Sequence, residues 1–245
     1  MSAESTIAVI IPALDEEGNI GHLVSEVLEA VRLHPEIELS SIIVVDNGSS
    51  DRTADVARDA GASVVSEPVR GYGRACLSGA MAADAAILVF MDGDRSEVPA
   101  EIGRVLDPVL SGEADLVVGS RVRGHAEAGA LTMPQRWGNR VAGWLIFALY
   151  RVRVTDPGPF RAIRRSNLLT LGMREMTYGW PTEMIARAAR VGLRFQEVPV
   201  SCRRRRTGQS KVSGNLRAGV HTGWRMVNVI FGVWRSSVLA KGDQR

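Results

Sequence analysis

The sequence predicts an α/β fold: a mainly parallel sheet with helices on both faces. Three observations carry that expectation. Short β-rich runs alternate with helix-patterned stretches as far as residue 119, the runs read as buried strands, and the polar turns Pro12 to Glu17, Asp46 to Ser49 and Asp92 to Glu97 follow three of them. In such a sheet ligands bind beyond the carboxyl ends of the strands, so these three acidic loops are expected to share one rim.

Taken in order, Ile7 to Ile11 is the first strand, and Ile20, Leu23, Val24, Val27, Leu28 and Val31 recur at helical spacing behind its loop. Ile42 to Val45 is the second strand. The turn Asn47-Gly48-Ser49-Ser50 leads into a helix over Thr53 to Ala60, with Ser50 or Asp51 as its cap. The alternation continues through Ser63 to Val65, Gly73 to Ala83, a strand over 86–91, Pro99 to Leu110 and Leu116 to Val118. Past residue 119 the pattern changes to a Gly- and Arg-rich loop, an apolar helix from Pro134 to Tyr150, a helix-like segment at Pro181 to Val191, a strand at Phe195 to Val200, a basic loop and a last amphipathic stretch. The expected organisation is a main domain over 1–213 and an amphipathic helical segment over 214–245.

Charge divides the chain. Residues 1–120 carry a formal charge of −14 and residues 121–245 one of +17, almost all of it Arg. A basic half of this kind predicts a polyanionic partner, and Arg forks onto phosphate oxygens. Aromatics are scarce around Arg203 to Lys211, which argues against a nucleic acid as that partner. Met1 to Ser5 lacks the positive charge of a secretory leader, and no apolar stretch approaches the roughly 20 residues needed to span a bilayer. A cytoplasmic chain, peripheral at the cytoplasmic membrane face, is expected. Cys76 and Cys202 are far apart, without metal-ligand spacing, and are expected to be reduced core thiols.

The chemistry concentrates in Asp92-Gly93-Asp94, two carboxylates at the end of a buried-type strand. Hard carboxylate oxygens suit Mg²⁺, which completes its shell with waters and a substrate's phosphates. That pattern points to a nucleoside diphosphate compound. Gly71-Tyr72-Gly73 lacks the context of a dinucleotide fingerprint.

These residues resemble a family 2 glycosyltransferase of the GT-A fold, and more narrowly the dolichyl- or polyprenyl-phosphate sugar synthases. The similar signatures are Ile11 to Asn19, Val44 to Asp51, Asp92-Gly93-Asp94, Gly119-Ser120-Arg121, Asp156 to Arg161 and Gly208-Gln209-Ser210-Lys211. The resemblance implies an inverting hexosyl transfer from a UDP- or GDP-linked sugar to a polyprenyl phosphate, with Mg²⁺ or Mn²⁺. Pro12, Leu14, Glu16, Asp46 and Asp92 are implied in nucleotide-sugar binding, with Arg161, Arg203, Ser210 and Lys211 on the diphosphate. Asp92, Asp94 and Glu97 are the implied metal ligands; Asp94, Arg121, Arg136 and Glu183 the implied catalytic set. Asn47 stands where the family usually has a second Asp.

Two alternatives remain at this point. A hydroxyl acceptor needs a general base, and Glu183 is the candidate in the second half; a lipid monophosphate is largely ionised near neutral pH and needs none. A non-catalytic nucleotide-sugar or nucleic-acid binding module is the other. Two Arg- and Trp-edged segments, Trp137 to Tyr150 and Leu216 to Trp234, match helices that lie in a membrane interface.

Overall fold

The computed structural model describes residues 5–206 and 223–235. Its centre is a seven-stranded sheet in the order β3-β2-β1-β4-β6-β5-β7. The strands are β1 (Thr6–Ala13), β2 (Glu38–Asp46), β3 (Ser63–Ser66), β4 (Ile87–Phe90), β5 (Leu116–Ser120), β6 (Arg161–Arg164) and β7 (Phe195–Pro199). β6 pairs antiparallel with both β4 and β5, and the remaining ladders are parallel. The mainly parallel sheet is therefore as expected. The reversed strand in its middle was not.

Alternation along β1 shows how the strands make two cores. Ile7, Val9 and Ile11 face α1 (Glu17–Arg32), α2 (Thr53–Asp59) and α4 (Ile102–Leu110), while Ala8 and Ile10 face α3 (Tyr72–Ala82) and the helices of the second half. Those helices are α5 (Met133–Tyr150), α6 (Arg165–Leu171) and α7 (Trp180–Val191). Every strand residue of β4 is fully buried, as an interior strand of a sheet covered on both faces requires. In α1 the residues Ile20, Leu23, Val24, Val27 and Val31 are all buried, whereas Leu28 is only partly so.

Two close contacts place the rim. Gly79 in α3 lies so near β1 and β2 that a Cβ there would meet Ile10 Cγ2 at 2.5 Å and Val45 Cγ2 at 2.9 Å, so α3 is drawn tight against the sheet. Phe90 packs edge-on against Trp180 with ring centroids 5.0 Å apart, which fixes the start of α7 beneath the loop that leaves β4.

The helix starts after β2 and β4 lack a side-chain cap. After Val98 the chain enters a 3-10 turn at Pro99–Glu101 without a side-chain cap bond. Neither Ser50 nor Asp51 is the cap of α2: Arg52 stands there without a side-chain cap bond, and Asp51, one residue further out, accepts the Thr53 N–H on its Oδ1 at 3.0 Å. Of the expected segment 214–245, residues 223–235 are helical, and the rest lies outside the described residues.

Candidate active site

Strand order reverses between β1 and β4, because β2 and β3 lie on one side of β1 and β4 on the other. At such a switch point the loops diverge and leave a crevice at the carboxyl ends. Gly93 keeps that crevice narrow at its base: a Cβ there would stand 3.2 Å from Pro12 O. The loops after β1, β2 and β4 thus meet, as expected.

The first two loops are locked by each other's side chains. Ser50 N–H and hydroxyl donate to Asp15 Oδ1 at 2.7 and 3.0 Å, Glu16 N–H donates to Thr53 Oγ1 at 2.8 Å, and Arg52 N–H donates to Glu17 Oε2 at 3.0 Å. Pro12 is buried and Leu14 half-buried at this seam. Asp46 Oδ1 accepts from Ser49 N–H at 3.1 Å, closing the turn after β2.

Asn47 is buried and fully employed. Its amide donates to Glu67 O and Val69 O, both at 2.9 Å, and its Oδ1 accepts from Gly71 N–H at 2.7 Å. A carboxylate lacks donors for the two carbonyls, which explains an amide here. The side chain is aimed at the 67–71 loop.

The loop after β4 crowds three carboxylates. Glu97 is buried, its Oε2 accepting from Asp92 N–H at 3.1 Å and its Oε1 from the Ser96 hydroxyl at 3.3 Å. Asp94 Oδ1 accepts from Ser96 N–H at 3.0 Å. Asp92 Oδ1 is shut off from solvent and has no hydrogen-bond partner among the described residues. Burial, and then the charge of Asp94, push the Asp92 carboxyl up to about 6; burial followed by Asp92 and Asp94 pushes Glu97 well above its ordinary value. The Tyr72 hydroxyl interacts with Asp92, and burial and that acid raise its own pKa. Arg95, inside this loop, holds a left-handed φ of 61° and pairs with Glu26.

Although these three carboxylates are close, no group of three or more His, Cys, Asp or Glu among the described residues is arranged to hold a cation by itself. Glu97, expected as a third ligand, is instead turned into its own loop. The arrangement still fits one divalent cation, because Asp92 presents a buried oxygen with no partner beside a second acid, and such an ion takes one or two carboxylates and otherwise phosphate oxygens.

The basic half reaches this rim through the strand-like stretch after β7. Arg203 N–H donates to Ser96 O at 2.7 Å and Cys202 bridges Glu97, laying residues 202–205 along the acidic loop. Arg205 pairs with Glu16 and lies 3.6 Å from Asp94 Oδ2. Arg203 points elsewhere, onto Glu26 Oε2 at 3.0 Å. Arg205, not Arg203, therefore joins the acids of two loops. Ser210 and Lys211 lie outside the described residues.

Three other expected site residues, Arg121, Arg161 and Glu183, are architectural as placed. Arg121 clamps buried Asp156 through Nε at 2.7 Å, Nη2 at 2.8 Å and its own N–H at 2.9 Å, and Asn139 Nδ2 donates to the same carboxylate at 2.7 Å. Asp156 outweighs burial and raises Arg121. Arg161 is fully buried and gives its guanidinium to the carbonyls of Pro157, Gly158, Pro159 and Pro181, which leaves it no fork for a diphosphate. Burial lowers its pKa. Glu183, buried in the first turn of α7, accepts from Arg174 N–H at 3.0 Å, Glu175 N–H at 2.7 Å and Arg187 Nε at 2.7 Å. Arg136 is exposed on the first turn of α5.

The profile of glycosyl transferase family 2 matches residues 8–172, the stretch that holds all three rim loops, Arg121 and Asp156. The chain belongs to this family. An uncharacterized glycosyltransferase of Mycobacterium tuberculosis is 36% identical over 220 residues, covering 89% of this chain and 94% of the relative. The dolichyl-phosphate hexose transferase of Haloferax volcanii is 32% identical over 212 residues, 84% of this chain and 86% of that one. The crystal structure of glucosyl-3-phosphoglycerate synthase from Mycobacterium tuberculosis, in complex with Mn²⁺, UDP-glucose and phosphoglyceric acid, shares the fold at a TM-score of 0.73 and 24% identity, covering 94% of this chain and 80% of that one. This family 2 protein is a glycosyltransferase with the GT-A arrangement of sheet and helices.

Proposed function

We propose that this glycosyltransferase moves a hexose from a nucleoside diphosphate sugar to a polyprenyl phosphate, with inversion at the anomeric carbon. The observation that carries the donor half is the convergence of Asp92, Asp94 and Arg205 at the β1–β4 switch point. A bound divalent cation supplies positive charge to the departing diphosphate. Asp92 and Asp94 would hold that ion, while Asp46 and the Pro12–Leu14 seam accept the nucleoside. Arg205, which faces Glu16 and Asp94 on the same rim, gives its guanidinium to the diphosphate. Mn²⁺ in the solved glycosyltransferase complex and the chemistry of the acids support the metal without separating Mn²⁺ from Mg²⁺.

The surroundings of Glu183 support a phosphate acceptor. Its oxygens already accept from two backbone N–H groups and Arg187, so it is engaged in holding the 174–175 loop and is poorly placed to take a proton from a hydroxyl. An ionised phosphate oxygen needs no such base. The naming of a 32% identical relative as a dolichyl-phosphate transferase supports the same acceptor.

The test incubates the purified chain with radiolabelled UDP- and GDP-hexoses and either polyprenyl phosphate or glycan acceptors, with and without chelator. Chelator-sensitive label in the lipid extract is expected. Transfer only to glycan hydroxyls overturns the acceptor, and donor binding without turnover returns the chain to a binding module.

A further inference from the structure

Helix α5 carries its apolar residues on the wrong side for a helix in water. Met133, Trp137, Val141, Trp144 and Phe147, spaced by four, four, three and three, form one face, and each is exposed: Met133 at 68%, Trp137 at 63% and Trp144 at 66%. A surface helix normally turns such a stripe inward and shows charged residues of both signs. The inward face of α5 is already filled by Asn139, Ala142, Gly143 and Ile146. The outward stripe is therefore surplus to folding.

The charges around the stripe have one sign. No Asp or Glu occurs in α5, Arg140 is exposed on it, and the Arg151 and Arg153 guanidinium groups lie 6.0 and 5.8 Å from the Phe147 ring centroid. The helical residues 223–235 run beside it, tied by the Tyr150 hydroxyl donating to Ile230 O at 2.7 Å, and expose Trp224 at 69%. Trp and Arg around an apolar stripe match the boundary between acyl chains and anionic headgroups. A second copy of the chain fits poorly: isologous pairing of this face would set the same arginines against each other with no acid in α5 to meet them.

We propose that the outward face of α5 is a docking surface for an anionic lipid bilayer. No helix among the described residues is long and apolar enough to cross a membrane, so α5 lies along the surface. Its opposite face holds Asp156 through Asn139, and Asp156 holds Arg121 under the acidic loop. One helix diameter, about 10 Å, thus separates the bilayer from the residues that support the site. That spacing suits a phosphate carried at headgroup level, and in this respect alone the inference rests on the lipid-acceptor reading.

The experiment needs neither donor nor acceptor. The full chain is sedimented with phosphatidylcholine vesicles, with or without about one-third phosphatidylglycerol, and compared with the double variant Trp137→Ser, Trp144→Ser. Expected are salt-sensitive pelleting with the anionic vesicles, quenching of tryptophan fluorescence by brominated lipid, and roughly tenfold or greater loss of binding in the variant. Nucleotide-sugar binding by thermal shift stays unchanged in the variant, which separates loss of docking from loss of fold. The proposal is overturned by absent pelleting, by equal pelleting of the variant, or by a lipid-free dimer that the variant dissolves. Vesicle binding without lipid glycosylation would leave docking intact and remove only the acceptor.

Discussion

Two sets of buried acids in this fold are treated in opposite ways. Around Asp92 the chain packs three carboxylates into one loop and leaves an oxygen without a partner; at Asp156 and Glu183 it surrounds a single carboxylate with three or four donors. A satisfied buried acid rigidifies what it touches, and an unsatisfied, crowded one costs stability that only an arriving cation returns. The contrast separates architecture from chemistry within one sheet. Substitutions should therefore split cleanly between loss of turnover and loss of fold.

The largest expected effect is at Asp94. Asp94→Asn should lower kcat/KM by about 10³ or more, the scale of losing an electrostatic contact to a developing charge, while Tm stays within a few degrees of the parent. Steady-state transfer with thermal denaturation checks both halves. A variant that keeps a tenth of its activity would mean that the crowded loop is not where the diphosphate is held.

Glu183→Gln should do the reverse. The amide oxygen can keep both N–H groups, but its NH2 then faces the Arg187 Nε–H donor to donor and the buried ion pair is lost, so unfolding free energy should fall by about 3 kcal/mol, with kcat reduced less than about threefold in the folded fraction. Denaturant unfolding and turnover per folded molecule measure the two. If kcat collapses in a protein that keeps its stability, Glu183 is a general base and the acceptor is a hydroxyl.

Local periodicity explains which parts of this comparison are legible in the sequence. The strands of the first half and the buried face of α1 follow from apolar runs and helical spacing, and the rim loops follow from the rule for parallel sheets. β6 does not: Arg161-Ala162-Ile163-Arg164 is four residues long after Pro157-Gly158-Pro159, and only its ladders to β4 and β5 make it a strand. Nor can four successive arginines be told apart by type. The bridge from Cys202 to Glu97 sets which of them face Glu26 and which faces Asp94. Tyr72 was equally hidden, since its role depends on α3 beginning beside the loop after β4.

Asn47 sharpens the comparison from the satisfied side with an amide. Asn47→Asp keeps the acceptor for Gly71 N–H but turns carboxylate oxygens toward Glu67 O and Val69 O, losing two hydrogen bonds in a buried place. A cost of about 2 kcal/mol is expected. Because the 67–71 loop leads into Tyr72, which touches Asp92, a weaker donor affinity should accompany it. Isothermal titration with nucleotide sugars reads that second effect; unchanged stability and affinity would mean that the loop does not depend on the amide.

The smallest effect is a pair of opposing slopes with pH. Asp92 sits near 6 in the fold against 3.8 for its ordinary value, so between those limits the native state keeps a proton that the unfolded chain has released. Stability from this group is present below about 4 and is lost as pH rises through 6, read as a fall in Tm without metal. Glu26 has the other sign: burial pushes it up, but Arg95 and Arg203 outweigh burial and hold it low, so its stability appears as pH rises. Metal and donor binding need the ionised Asp92, hence affinity should climb about tenfold per pH unit up to 6 and then level off. Asp92→Asn should remove the fall in metal-free Tm and the rise in affinity together. If it removes only one, the proton and the cation do not compete for the same oxygen.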